Sequence, residues 1–177
     1  MLIAFLADIH ANRPAFEACL RRAREEGAER YVLMGDYVGY GADPDWSVKT
    51  AMSLVADGAV AVRGNHDNAV GNPREQMNVE AQVAMEWTRG ELGQDTRRFL
   101  EELPMTVNEE SRLYVHADAS NPEKWNYVSG VSEAARSLRA TTSHITFCGH
   151  IHRPAIYSLS ATEKMTSFIP ATGVSVP

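Results

Sequence analysis

The chain alternates between short apolar blocks and longer amphipathic or polar ones. Residues 2–7, LIAFLA, are an uninterrupted apolar run of strand length and predict a strand buried on both faces. After DIHAN, Pro14 suits the first helical position, with Asn12 or Arg13 as the cap. Phe16, Cys19, Leu20 and Ala23 then share one helical stripe that stops near Gly27. RYVLMG at 30–35 predicts a second strand, and the Gly- and Pro-bearing loop DYVGYGADPD follows it. Residues 46–57 read as a helix and GAVAVRG at 58–64 as a third strand. Two helical stretches come next, about 76–91 and 94–102, the first carrying Glu and Ala and the second Glu and Arg.

From residue 104 the texture changes. MTVNEESRLYVH predicts two short strands around a polar turn at Asn108 to Ser111. Residues 131–140 read as a helix, HITFCG at 144–149 as a buried strand, and AIYSLS with MTSFIP as a closing hairpin. Strand–helix alternation followed by hairpins implies an α/β sandwich, with mixed sheets inside and helices outside. No internal repeat, linker or low-complexity segment interrupts the pattern, so residues 1–177 are read as a single domain.

Charge and cysteine usage narrow the function classes. The net charge is −6 and the pI about 5.5, and no dense Lys/Arg run offers a footprint for long nucleic acid. Arg21, Arg22 and Arg24 alternate with Glu17, Glu25 and Glu26, which fits a solvated helix face. Cys19 and Cys148 are read as small buried hydrophobes in a reducing compartment, not as a disulfide or a thiolate metal site. No apolar run approaches the roughly 18 residues of a membrane span, and no basic segment precedes LIAFLA. The setting expected is the cytoplasm.

The residues that follow each apolar run carry the chemistry. LIAFLA is followed by Asp8-Ile9-His10 and RYVLMG by Asp36. GAVAVRG leads into Asn65-His66-Asp67, RLYV into His116, and HITFCG into His150-Ile151-His152. Of the six histidines only His144 stands outside this set, before a strand, where it is read as a surface residue. GNHD alone would pass for a surface turn, since Gly, Asn and Asp all favour turns. Five repetitions of the same arrangement displace that reading. Carboxyl ends of strands in α/β sheets converge on one crevice, so these side chains are expected to meet there. In Asp8-x-His10 and His150-x-His152, spacing by two puts both members on one face of an extended backbone.

These blocks, Asp8/His10, Gly35-Asp36, Gly64-Asn65-His66-Asp67, His116 and Gly149-His150-Ile151-His152, resemble in type and order the motifs of the calcineurin-like metallophosphoesterases, small bacterial members above all. The resemblance implies a four-layer α/β/β/α sandwich of two mixed sheets flanked by helices. It also implies two divalent transition-metal ions and a bridging hydroxide that attacks a phosphate ester. On this resemblance Asp8, His10, Asp36 and His152 hold one metal. Asp36, Asn65, His116 and His150 hold the other, with Asp36 bridging. Imidazole and carboxylate donors suit Mn first, and also Fe, Zn, Ni or Co, better than Mg. His66 is assigned to protonating or hydrogen-bonding the leaving group, oriented by Asp67, while Asn65, His66 and Arg13 are substrate-binding candidates. Asn12 reads as a helix cap. Gly35, Gly64 and Gly149 read equally as turn glycines or as sites of close backbone approach.

The chain departs from the family pattern in Ala117-Asp118-Ala119 after the lone histidine, and in ending soon after His152, where relatives continue through further strands. The function expected is metal-dependent hydrolysis of small phosphate mono- or diesters. A silent scaffold of the same fold and a nuclease are the alternatives; the intact ligand set disfavours the first and the acidic pI the second. A Rossmann or P-loop nucleotide binder is excluded for want of either glycine signature. Tyr37, Tyr40, Trp46, Trp125 and Tyr127 lie in loops or at their edges, where they stack on a substrate or simply pack.

Overall fold

A computed structural model describes residues 1–171 and 173. Strands β1 (Ile3–Leu6), β2 (Arg30–Leu33) and β3 (Val60–Ala61) form one sheet in that order, all parallel. Helix α1 (Arg13–Glu25) connects the first pair and α2 (Pro44–Ala56) the second. Asn12 caps α1 by accepting the Ala15 amide on its side-chain oxygen at 3.2 Å, and Phe16 and Leu20 turn into the core. Helices α3 (Asn65–Gly71), α4 (Val79–Glu91) and α5 (Gln94–Glu102) complete the first helical layer. Leu33, Val48, Met85 and Leu100, each fully buried, share the core between these helices and the sheet.

The other face of this sheet meets a second one, built from β4 (Thr106–Glu109), β5 (Arg112–Val115) and β6 (Ile145–Phe147). Here β4 and β5 run antiparallel while β5 and β6 run parallel. Val32, Met34, Val62 and Tyr114 fill the inter-sheet core, and the Phe5 ring stacks on Phe147 with centroids 4.1 Å apart. Strands β7 (Ile156–Leu159) and β8 (Met165–Phe168) form the expected hairpin, and helix α6 (Val131–Arg139) packs against it. Two facing sheets with helices outside are thus the α/β architecture expected. Of the two, the first is wholly parallel, because helical crossovers join all its strands, and the second is mixed.

Several local expectations change. β1 is an edge strand, so its residues are half-buried rather than buried on both faces. β6 is likewise an edge and opens with exposed Ile145. Cys148, just past that edge, and Cys19, on the outer flank of α1, are both exposed instead of buried. α4 begins at Val79, where Asn78 accepts the Ala81 amide at 2.8 Å, and not at 76. Most of the closing ATGVSVP lies outside the described residues, so the expectation of chain beyond the hairpin and the last positions of the 1–177 domain fall there too. Among the described residues no helix is long and apolar enough to cross a membrane.

Candidate metal centre

All five ligand-bearing segments leave the carboxyl ends of strands in the two facing sheets. His116 follows β5 directly, Asp8 stands two residues past β1, and Asp36 and His150 stand three past β2 and β6. Asn65 lies four past β3 and is the first residue of α3. The paired motifs meet by a different route from the extended backbone expected. Asp8, His10, Asp36, His150 and His152 all have left-handed backbones, with φ between 48° and 67°. Each costs on the order of 1 kcal/mol relative to ordinary geometry, a strain that surrounding contacts must hold. Those contacts are visible: the Asp8 amide donates to Gly35 O (3.1 Å) and the His10 amide to Asp36 O (2.9 Å). The His150 amide donates to both Asp8 oxygens at 3.1 Å.

The side chains converge. His10 Nε2 lies 3.3 Å from His152 Nε2 and 3.7 Å from Asp36 Oδ2, and His152 Nε2 lies 3.3 Å from Asp8 Oδ1. His116 Nε2 lies 3.4 Å from Asp36 Oδ2, 3.2 Å from Asn65 Oδ1 and 3.2 Å from His150 Nδ1. Two donor groups result, Asp8/His10/His152 and Asp36/His116/His150, with Asp36 also grouped with His10 and His66. The opposite ring nitrogens decide the tautomers. His10 Nδ1–H donates to Val38 O (3.0 Å), His116 Nδ1–H to Met34 O (2.8 Å) and His150 Nε2–H to Trp125 O (2.9 Å). A carbonyl can only accept, so in the neutral rings of His10 and His150 the inward nitrogen carries a lone pair. An inward lone pair with the opposite N–H held by a carbonyl is the form in which imidazole binds a metal. The donor set therefore fits a cation, and Asp36 Oδ2 faces both groups.

Electrostatics point the same way. Burial opposes a proton on His116, but Asp36 and Asp8 overcome it and raise its pKa to about 9. Asp36 resists burial in turn, held far below the usual carboxylate range by His116 and its hydrogen bond. The pair marks the centre as a place that seeks positive charge. Burial raises Asp8, and it lowers His66 and His150 to about 4, so both rings are neutral at neutral pH.

His66 is buried against His10 and Tyr40, with ring centroids 4.7 and 4.8 Å away. Among the described residues its Nδ1 has no hydrogen-bond partner, and it is sealed beneath Gly39, where a Cβ would come within 2.2 Å of it. Asp67 does not orient that ring as expected. Its carboxylate accepts the amides of Asp36 (2.8 Å), Tyr37 (2.9 Å) and Gly64 (2.8 Å), because the start of α3 aims it back at the turn after β2. Arg13 is also turned elsewhere: its Nε donates to Glu17 at 2.9 Å and its guanidinium lies over Trp46. Gly64 is a glycine of close approach, since a Cβ there would fall 2.1 Å from Asp36 Oδ1. Of the loop aromatics, Tyr37 is wholly buried and Trp46 packs on Phe16, whereas Tyr40 and Tyr127 flank the ligands. The carbonyls of Met34, Val38 and Trp125 escaped the sequence reading because every residue type supplies one. Asp118, beside His116, is buried and held by Ser120 and Arg136.

The sequence pattern of the calcineurin-like phosphoesterase superfamily domain matches residues 1–169. The chain belongs to that superfamily. A metallophosphoesterase from Sphaerobacter thermophilus superposes with a TM-score of 0.82 at 30% identity, covering 97% of this chain and 69% of that one. A Methanocaldococcus jannaschii protein of unassigned role is 29% identical over 165 residues, 89% of this chain and 65% of that protein. The Escherichia coli phosphodiesterase YfcE is 32% identical over 94 residues, 49% of each chain. The chain thus spans from about half to two-thirds of the length of these curated relatives.

Proposed function

We propose that this calcineurin-like phosphoesterase chain hydrolyses phosphate esters of small molecules, mono- or diesters, in the cytoplasm, using two divalent transition-metal ions. The observation that carries this reading is the convergence of the His10, His116, His150 and His152 ring nitrogens with the Asp8 and Asp36 carboxylates. Asp8, His10, Asp36 and His152 would hold one ion, and Asp36, Asn65, His116 and His150 the other. Bound there, a pair of such ions supplies a hydroxide nucleophile near neutral pH and offsets charge developing on the phosphoryl oxygens. Manganese is the first choice among Mn, Fe, Zn, Ni and Co for imidazole and carboxylate donors.

The chain's own groups position and protonate. The backbone carbonyls of Val38, Met34 and Trp125 fix which ring nitrogens face the centre. His66, with Nδ1 sealed under Gly39, has Nε2 to offer to the leaving-group oxygen, and its amide donates to Asp36 Oδ1 at 2.9 Å, which aligns that carboxylate. Asn65 would bind both the second ion and a phosphoryl oxygen. Asp67 acts at a distance, by gathering the backbone that carries Asp36 and Gly64.

The test is hydrolysis of bis(p-nitrophenyl) phosphate and p-nitrophenyl phosphate with Mn, Ni, Zn or Mg supplied in turn. We expect Mn-stimulated turnover that His66→Ala lowers by about 10²–10⁴-fold with metal content unchanged. Full activity in that variant would remove the role given to His66, and no turnover with any metal would remove the function.

A further inference from the structure

The loop after β2 holds one aromatic ring at the lip of the centre in a costly conformation. Tyr40 has φ of 62°, in the left-handed region that side chains other than those of Gly, Asn and Asp avoid. Its neighbours cannot carry side chains: a Cβ on Gly39 would strike the His66 ring, and one on Gly41 would lie 2.3 Å from His10 O. The Gly41 amide donates to His10 O at 2.9 Å and the Asp43 amide to Ala11 O at 3.1 Å, so the loop is bolted to the turn that carries Asp8 and His10. The Tyr40 ring rests on the His10 and His66 rings, yet remains 52% exposed. Packing alone gives little reason for this strain, because half the ring gains no burial.

What lies in front of the ring gives a reason. A cleft of about 600 Å³ runs past Asp8, His10 and His152, and Pro14, Tyr40 and Ala42 supply apolar wall. Its volume exceeds what a phosphate alone requires and falls within the range of sites for small organic ligands. Another cavity of about 340 Å³ is lined by Arg63, Asn68 and Glu101. Its guanidinium is already engaged by Leu103 O and Asn68, so that space is structural.

We infer that Tyr40 is a specificity-determining residue: its exposed ring stacks on a planar aromatic arm of the substrate, a nucleobase first of all, while the phosphoryl group lies at the ligand cluster. The inference rests on the phosphoesterase reading for the position of the phosphoryl group. A rigid ring accepts a base face without directional hydrogen bonds and with little ordering cost. An ester with an aliphatic arm finds no such surface.

The test compares two ligands that differ only by the base, AMP and ribose 5-phosphate. Both are used as inert phosphonates with CH₂ in place of the ester oxygen, titrated calorimetrically into the Mn-loaded protein. We expect the AMP analogue to bind more tightly. Tyr40→Asn, which keeps a residue tolerant of the left-handed backbone, should cut that preference about tenfold, and Tyr40→Phe should restore it. A wild-type protein that does not prefer the AMP analogue overturns the inference. Equal weakening of both ligands, or an unchanged preference in Tyr40→Asn, does so as well. Should no ester be hydrolysed while the preference and its loss in Tyr40→Asn are both seen, the activity reading fails and the stacking role stands.

Discussion

Single residues set the tolerance of the centre. Gly64 has no space for a methyl group: a Cβ would lie 2.1 Å from Asp36 Oδ1 and 2.4 Å from the Asp36 amide. Asp36 itself is buried, and its carboxylate cannot step aside without losing the His66 amide. Gly64→Ala should therefore weaken Mn binding by more than about tenfold, read by calorimetric titration, and destabilise the fold by about 1–3 kcal/mol. Unchanged Mn affinity in that variant would mean that Asp36 is not where the cations sit. The candidate ligands were legible at this scale because a carboxylate or imidazole after an apolar run is chemically out of place, and five such runs repeat the anomaly. What Asp67 does was not legible. Its partners are amides of Asp36 and Tyr37, about thirty positions earlier, and an amide leaves no trace in residue type. The left-handed backbones of Asp8, His10 and His152 were hidden for the same reason, so the pairs meet by a geometry other than the extended one expected.

Elements are coupled to the centre through their ends. The first turn of α3 carries Asn65, His66 and Asp67, and the Asp67 carboxylate ties that turn to the exit of β2 by three amides. In Asp67→Asn one oxygen becomes an NH₂, which in either orientation faces at least one of these amides. The cost expected is about 2 kcal/mol, or roughly 4–8 °C in Tm, and a melt at neutral pH measures it. An unchanged Tm would show that the three bonds contribute nothing net. Helix α3 itself was invisible in the sequence. GNHD reads as a turn, and the seven residues of the helix are too few to show a 3.6-residue period. Helices with a clear apolar stripe, α1 and α5, emerged within about one residue of their bounds, whereas α4, capped by Asn78, was drawn three residues too early. β3 was drawn too long because GAVAV is apolar throughout, yet only Val60–Ala61 pair with β2. Apolar character marks burial, not hydrogen bonding.

At the scale of the whole molecule, the centre exists only while the two sheets face each other, since Asp8, Asp36 and Asn65 follow one sheet and His116, His150 and His152 follow the other. Beside the aromatic contact between sheets, an ion pair spans them: Arg30 on β2 forks onto Glu109 on β4, with Nη1 2.9 Å from Oε2. The Arg30 hydrogen bond is the main reason that the Glu109 pKa lies below its ordinary value. A carboxylate lowered on folding contributes stability above its unfolded pKa and loses it as pH falls through the folded value. Arg30→Met should then lose about 0.5–1 kcal/mol at pH 7, and the gap from wild type should close in melts below pH 4. A gap independent of pH would assign the loss to packing instead.

The central claim is that these two sheets gather a pair of cations around Asp36. Mn(II) titration of chelator-treated protein, with bound metal counted and the spin coupling followed by electron paramagnetic resonance, tests it most directly. The account predicts two ions per chain with an exchange-coupled spectrum, and loss of coupling with at least one ion in Asp36→Asn. One ion, or two that never couple, would contradict it.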